Sequence, residues 1–289
     1  MAKSLALPTG IREQAFRAAC DRASEPRLAW RRLALAASPA HCMGLVFPNR
    51  LGIAAGFDRQ GILGRAAGNL GFGAIELGSW TPHNWPEPVL ASHPAPLLDT
   101  RLGIRLAAIT PESAAQETRQ LARLIERAWH TADYLSIAPE WLTAAVPAQQ
   151  RYASLRALRT TQQALTLQTG KSCPIVYKLR LIPGRGDALT LVRGLADQGV
   201  DGILLCFDFG KPFTAAHYRR WQDREFQATT CRILEACRRH LTGATALLTN
   251  GGVYCRQDYR DRLQAGADLV QLHNALVFEG PAIGWQISP

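Results

Sequence analysis

The sequence predicts an α/β protein built as a (β/α)8 barrel, and two patterns predict it. Short apolar runs that are apolar throughout, not alternating, recur from residue 51 onward, and helical segments separate them. Strands of that kind belong to a parallel sheet covered on both faces, and eight such units suggest a closed barrel. The runs are Leu51–Ala55, Ala74–Gly78, Gly103–Ala107, Tyr134–Ala138, Pro174–Leu179, Gly202–Phe207, Ala246–Thr249 and Leu269–Leu272. Helices are expected near 60–70, 112–129, 150–169, 186–198, 224–241 and 256–265. The stretch 80–101 carries Pro82, Pro86, Pro88, Pro94 and Pro96, so it predicts an irregular loop above the barrel.

Ahead of the barrel, residues 11–37 read as two helices divided near Ser24-Glu25-Pro26, with Pro26 suited to a first helical turn. The second sets Leu28, Trp30, Leu33 and Leu35 beside Arg27, Arg31 and Arg32. Such an arginine-rich amphipathic pair either lies on a membrane surface or caps one end of the main domain. The expected organisation is a helical extension over 1–40 and a barrel over 41–289.

Composition removes several function classes. The chain has 289 residues, 47% of them hydrophobic and 19% charged, as in a soluble globular protein with a substantial core. Its net charge is +10, and 29 of its 33 basic residues are arginine. Those arginines are scattered among acidic residues, as in Arg256-Gln-Asp-Tyr-Arg260-Asp-Arg262, which argues against a nucleic-acid stripe. The seven cysteines are odd in number and contain no C-x-x-C pair, so neither a disulfide framework nor a zinc site is expected. No stretch approaches the ~18 apolar residues of a membrane span, and no signal-peptide run opens the chain. The expected location is a reducing, bacterial-type cytoplasm, with peripheral contact to the inner membrane through residues 11–37 left open.

The segment His41-Cys-Met-Gly-Leu-Val-Phe-Pro-Asn-Arg-Leu-Gly-Ile-Ala-Ala-Gly-Phe-Asp-Arg-Gln-Gly61 closely resembles the opening of the membrane-associated, quinone-reducing class 2 dihydroorotate dehydrogenases. Further echoes follow in family order: Leu70-Gly-Phe-Gly-Ala-Ile-Glu-Leu-Gly-Ser-Trp-Thr-Pro82, Pro174-Ile-Val-Tyr-Lys178, Gly199-Val-Asp-Gly-Ile203 and Ala265-Gly-Ala-Asp-Leu-Val-Gln-Leu-His-Asn-Ala-Leu-Val-Phe-Glu-Gly-Pro281. The resemblance implies a barrel holding FMN at its C-terminal mouth, with a shortened version of the family's two-helix element before it. It implies cofactor contacts at Ala54, Ala55, Gly56, Ser79, Lys178, Gly251, Gly252, His273 and Asn274. Physically, small residues let a flat ring approach the backbone, and a fixed cation stabilises an anionic reduced ring. The glycine turn after strand seven and the loop after strand eight suit a phosphate.

The departures from the family concern the substrate. The strand-four motif, expected as Asn-x-Ser-Ser/Cys-Pro-Asn, reads Ala138-Pro-Glu-Trp141, so the proton-abstracting residue and its neighbouring asparagine are missing. Arg105 stands at the strand-three asparagine, Arg59 at the lysine after Gly-Phe-Asp, and Cys206-Phe207 at the Thr-Asn pair. The Met-Gly-Phe-Asn-Asn loop is absent between Asp99 and Leu102, and Arg219-Arg-Trp-Gln-Asp-Arg224 replaces Gly-Gly-x-Ser-Gly. A site built to hydrogen-bond one substrate loses it when those partners go.

The expectation is therefore a divergent FMN-binding oxidoreductase that does not oxidise dihydroorotate. Arg59 and Arg105 would orient an anionic or aromatic small molecule, and Glu140 and Asp208 are the candidate bases. His83, Cys206, Trp80, Trp85 and Trp141 read more simply as a solvated histidine, a small buried residue and packing aromatics. No metal centre is expected, because no Asp, Glu or Cys stands at ligand spacing from His273. Two alternatives stay open: a non-catalytic barrel serving as a binding or assembly module for a protein partner, and a barrel recruited to non-redox chemistry with Lys178 as a Schiff-base or proton-transfer group.

Overall fold

A computed structural model describes residues 9–25, 38–85, 96–143, 145–181, 188–207, 223–241 and 244–287. A hairpin of β1 (Ala40–Cys42) and β2 (Leu45–Phe47) precedes eight barrel strands: β3 (Leu51–Ile53), β4 (Ala74–Trp80), β5 (Arg101–Leu106), β6 (Tyr134–Ile137), β7 (Ile175–Arg180), β8 (Gly202–Cys206), β9 (Ala246–Asn250) and β10 (Leu269–Leu272). They pair in parallel, each with its sequence neighbour, and β10 closes on β3. The fold is a (β/α)8 barrel.

The described helices are α1 (Thr9–Ser24), a 3-10 helix over Gly64–Leu70, α2 (Ala114–Ala128), α3 (Ala148–Thr169), α4 (Ala188–Asp197), α5 (Arg224–Arg238), α6 (Arg256–Gln264) and the short α7 (Asn274–Glu279) and α8 (Ile283–Ile287). Local chemistry sets their ends. The Ser113 hydroxyl accepts from Gln116 N at 3.2 Å to start α2, and Gly170 at φ 68° ends α3. Along α2 the buried side chains Leu121, Leu124, Ile125 and Ala128 recur at helical spacing and face the sheet. The short 3-10 turn replaces the helix expected near 60–70, because Asp58 holds the backbone amides of Gly61, Ile62 and Gly64 in a loop first. The second predicted N-terminal helix, 26–37, lies outside the described residues, as do residues 86–95 of the proline-rich loop.

Aspartates staple the N-terminal ends of the strands. Asp133, Asp201 and Asp268 each stand just before an even-numbered strand and accept an amide from the first or second residue of the preceding one: Leu102 N at 2.7 Å, Ile175 N at 2.9 Å and Leu247 N at 2.7 Å. Asn49 does the same for Leu51 and Gly73. These bonds lock the barrel's register at its closed end, where such interactions serve stability.

Inside that end, Ala74, Tyr134, Val176, Leu204, Ala246, Leu248 and Leu269 pack against Ala40 and Phe47 of the hairpin. Phe47 meets the Tyr134 ring edge-on at 6.0 Å. Gly103 is required opposite, since a side chain there would run into the Tyr134 ring. The hairpin, which has no counterpart in the strand pattern of the sequence, thus plugs the bottom of the barrel.

Candidate active site at the barrel mouth

Above the apolar plug the interior turns polar. Glu76 on β4 is fully buried and accepts from Gln271 Nε2 on β10 at 2.6 Å, while Asn250 Nδ2 on β9 donates to Gln271 Oε1 at 3.2 Å. The Ser136 hydroxyl lies near Glu76 in a geometry short of a full hydrogen bond. Burial raises the Glu76 pKa; Gln271, Lys178 and Arg105 oppose that rise by favouring the carboxylate.

Over this layer opens a cleft of about 540 Å³, within the range of about 300–1,000 Å³ usual for small-molecule sites. All nine residues expected to touch a cofactor line it: Ala54, Ala55 and Gly56 after β3, Ser79 on β4, Lys178 on β7, Gly251 and Gly252 after β9, and His273 with Asn274 after β10. Arg59 and Arg105 line it as well. Glu140 stands outside the lining; its side chain is exposed and its backbone N–H donates to Glu117 Oε1 at 2.8 Å, which turns the segment after β6 toward α2. Asp208 falls outside the described residues, as do Gly184-Arg-Gly186 and Arg219–Gln222.

Each wall of the cleft has an identifiable support. Asp58 holds the loop that carries Arg59, and Trp80 Nε1 donates to Arg59 O at 2.8 Å. Asn84 accepts from Thr81 N at 2.6 Å and donates to Ser79 O at 3.2 Å, shaping the rim after β4. Trp80 and Trp85 pack edge-to-face at 5.2 Å, and Arg127 lies over Trp85 at 4.3 Å, so these tryptophans build the wall behind the rim. His83 is exposed and Trp141 is buried, and neither lines the cleft.

The Gly251-Gly252 turn is set from below. Gly252 sits at φ +73°, and a Cβ there would strike the Phe226 ring. Gln227 Nε2 donates to Gly252 O, Arg262 Nη2 donates to Gln227 Oε1 at 2.8 Å, and the Phe207 ring covers the Arg262 guanidinium at 5.5 Å. Opposite, α1 packs beside the mouth: Arg12 Nη1 donates to Gly56 O at 3.0 Å, Phe16 meets Phe57 at 5.6 Å, and Phe57 meets His273 at 6.3 Å. The first predicted helix therefore borders the site, and no described helix is long and apolar enough to cross a membrane.

Electrostatically the lining is one-sided. Arg59, Arg105, Lys178 and Arg180 face the cleft, and no carboxylate is among its described lining residues. Burial brings the Arg105 guanidinium down to about 10, Glu76 and Cys206 hold it up, and Arg180 lowers it further. Nη1 of Arg105 is buried without a hydrogen-bond partner. No group of three or more His, Cys, Asp or Glu that could hold a metal occurs among the described residues. Residue-level reading of the sequence passed over Arg180, Asn84, Asn250 and Gln271. A signal existed for two of them: Arg180 is two residues beyond Lys178 and Gln271 two before His273, so the strand period of two turns them to the same interior.

An eight-stranded barrel with a basic, glycine-edged cleft at its C-terminal mouth is the arrangement of a small-molecule-binding TIM-barrel protein. Comparison with known proteins narrows that class. The chain is 29% identical over 293 residues to the dihydroorotate dehydrogenase (quinone) of Dichelobacter nodosus, covering 86% of this chain and 85% of that one. It is 27% identical to the protein of the same name from Xylella fastidiosa (85% and 81% covered) and 28% identical to that of Chromobacterium violaceum (86% and 85%). No family model matches the chain. Among solved structures, dihydroorotate dehydrogenase of Eimeria tenella in complex with ferulenol superposes with a TM-score of 0.71 at 17% identity, over 97% of this chain and 89% of that one. Its ligand-free form gives the same TM-score over 97% and 92%. These structures establish the shared fold.

Proposed function

We propose that this protein is an FMN-binding oxidoreductase of the dihydroorotate dehydrogenase type that acts on an anionic organic molecule other than dihydroorotate. The observation that carries the reading is the cleft itself: small residues and glycines on two sides, four cationic side chains, and no described carboxylate in its lining. The names of the relatives support the flavin part.

The residues present fit FMN. Ala54, Ala55 and Gly56 offer a low wall against which a flat ring can lie, and a Cβ on Gly56 would come to 3.6 Å from His273 Nε2, narrowing the space. Lys178 supplies a fixed positive charge beside the ring position. Gly251 and Gly252, both at positive φ, leave the phosphate end of the cleft free of side chains, with His273 and Asn274 across from them. When bound, FMN accepts a hydride from a substrate and passes the electrons on.

The case against dihydroorotate rests on the end of β6. Alanine occupies position 138 in the cleft, and the following Pro139-Glu140-Trp141 is drawn toward Glu117, so no hydroxyl, thiol or carboxylate of that segment reaches the reacting space. Arg59 and Arg105 then orient the substrate by its charge. The lack of a carboxylate among the described lining residues favours a second reading, a non-catalytic barrel that binds an anionic ligand.

The visible absorption spectrum of the purified protein, followed by denaturation and identification of any released chromophore, tests the proposal. Stoichiometric FMN is expected, together with reduced flavin retention in Lys178→Ala. A colourless protein that FMN does not reconstitute would sink the redox reading and leave the binding module. Turnover of dihydroorotate by the purified protein would overturn the assignment of a different substrate.

A further inference from the structure

We propose that Arg105 and Arg180 form an oxyanion clamp, so that the substrate is an organic dianion with one anionic group held by this pair and the other by Arg59. The inference deepens the proposed function and rests on its reading of the cleft as an anion site, though not on the flavin.

Arg105 lies on β5 and Arg180 at the end of β7, the two strands that flank β6 in the barrel. Both line the cleft. Between and beside them the interior positions are small: Ala138 follows β6, Ser136 pairs in register with Arg105, and Cys206 pairs with Arg180. Space is therefore left between two flanking strands that each present an arginine to the cleft. Neither arginine forms a salt bridge among the described residues. Among the described residues Glu76 is the carboxylate that supports the charge of Arg105, and it accepts a hydrogen bond from Gln271 without ion-pairing either arginine.

Nη1 of Arg105 is a buried N–H without an acceptor, and Arg180 adds a like charge to the same cleft, so an entering oxyanion relieves an unfavourable state of Arg105. Arginine forks recognise carboxylate or phosphate oxygens in pairs, which suits a terminal oxyanion better than a neutral carbonyl. The Gly251-Gly252 turn follows β9 on the opposite side of β8, which keeps this clamp distinct from the phosphate end.

Benzoate and isophthalate, matched rings with one and two carboxylates, are suitable probes for calorimetric titration of the protein as purified. Isophthalate is expected to bind at least about tenfold more tightly, the worth of one charge-assisted interaction. Arg180→Gln is expected to weaken both acids by about tenfold, since either is held through the pair, whereas Arg59→Gln removes the advantage of isophthalate and leaves benzoate within about twofold. Because Arg180 is exposed, this variant folds; Arg105→Gln, on a buried position, is the supporting variant. Equal affinities for the two acids, no binding of isophthalate, or affinities in Arg180→Gln within about twofold of the unsubstituted protein would each overturn the clamp. Recording the visible spectrum of the same samples separates the two proposals. A colourless protein that prefers isophthalate overturns the flavin and keeps the clamp, whereas a yellow one without the preference does the reverse.

Discussion

The two ends of the barrel interior are built from the same strands and have opposite characters. At the N-terminal end, Phe47, Tyr134, Val176, Leu204, Leu248 and Leu269 fill the space with apolar side chains, and aspartates outside clamp the strand starts. At the C-terminal end, within a few residues along those same strands, Arg105, Lys178 and Arg180 surround an open cleft. Glu76 and Gln271 form the boundary between them. The lower half can hold the fold together because its apolar side chains pack against one another. The upper half leaves charge unmatched, which is how a protein prepares for a ligand at some cost in stability.

Substitutions that strike one half and spare the other can break this division. The largest effect is expected from Phe47→Ala, which empties the middle of the plug and should cost about 3–5 kcal/mol in urea unfolding while leaving ligand affinity of the surviving folded protein unchanged. An equal loss of affinity would show that the two halves are coupled. Gly252→Val acts in the opposite sense. It forces a branched residue to φ +73° against Phe226, costing about 1–3 kcal/mol of stability. It should also reduce FMN retention, read from the absorbance of the purified variant, well beyond that stability loss.

A smaller effect is expected at the boundary. The folded-state pKa of Glu76 is raised, by burial first, so its contribution to stability is full while the carboxyl is protonated in both folded and unfolded chains. That contribution is lost as pH climbs from the ordinary glutamate range through the raised folded value. Glu76→Gln should therefore flatten the fall of the urea midpoint as pH rises above about 4, where the ordinary glutamate pKa lies. A wild-type-like slope in the variant would remove Glu76 from this role. The smallest effect belongs to Leu167→Lys on α3, where the leucine is 87% exposed; its melting midpoint should reflect a change within about 0.5 kcal/mol. A larger change would reveal a surface on which that helix is packed.

Much of the barrel was legible in the sequence because its signal is local. Leu269–Leu272 matches its predicted bounds, and the others begin or end within two residues of theirs. A strand buried on both faces must be apolar at every position, whichever neighbour it pairs with. The glycine turns and Lys178 were legible through the resemblance of the segments that carry them, and the structure places them along the cleft. The hairpin over Ala40–Phe47 was not, since its strands are only three residues long and their apolar side chains make sense only against the barrel floor.

For the site, the sequence alone determined which residue types would stand at the strand ends, because a strand's end and its period of two are properties of the chain. Tertiary structure decided their partners. It turned Glu140 away, through hydrogen bonds to a helix 23 residues earlier, and it brought Arg180 beside Arg105 from strands 75 residues apart in sequence. Only closure of the barrel juxtaposes Glu76 with Gln271, whose 195-residue separation carries no local signal. Charge balance within a cleft depends on such long-range meetings, and here it leaves the described lining of the barrel mouth cationic.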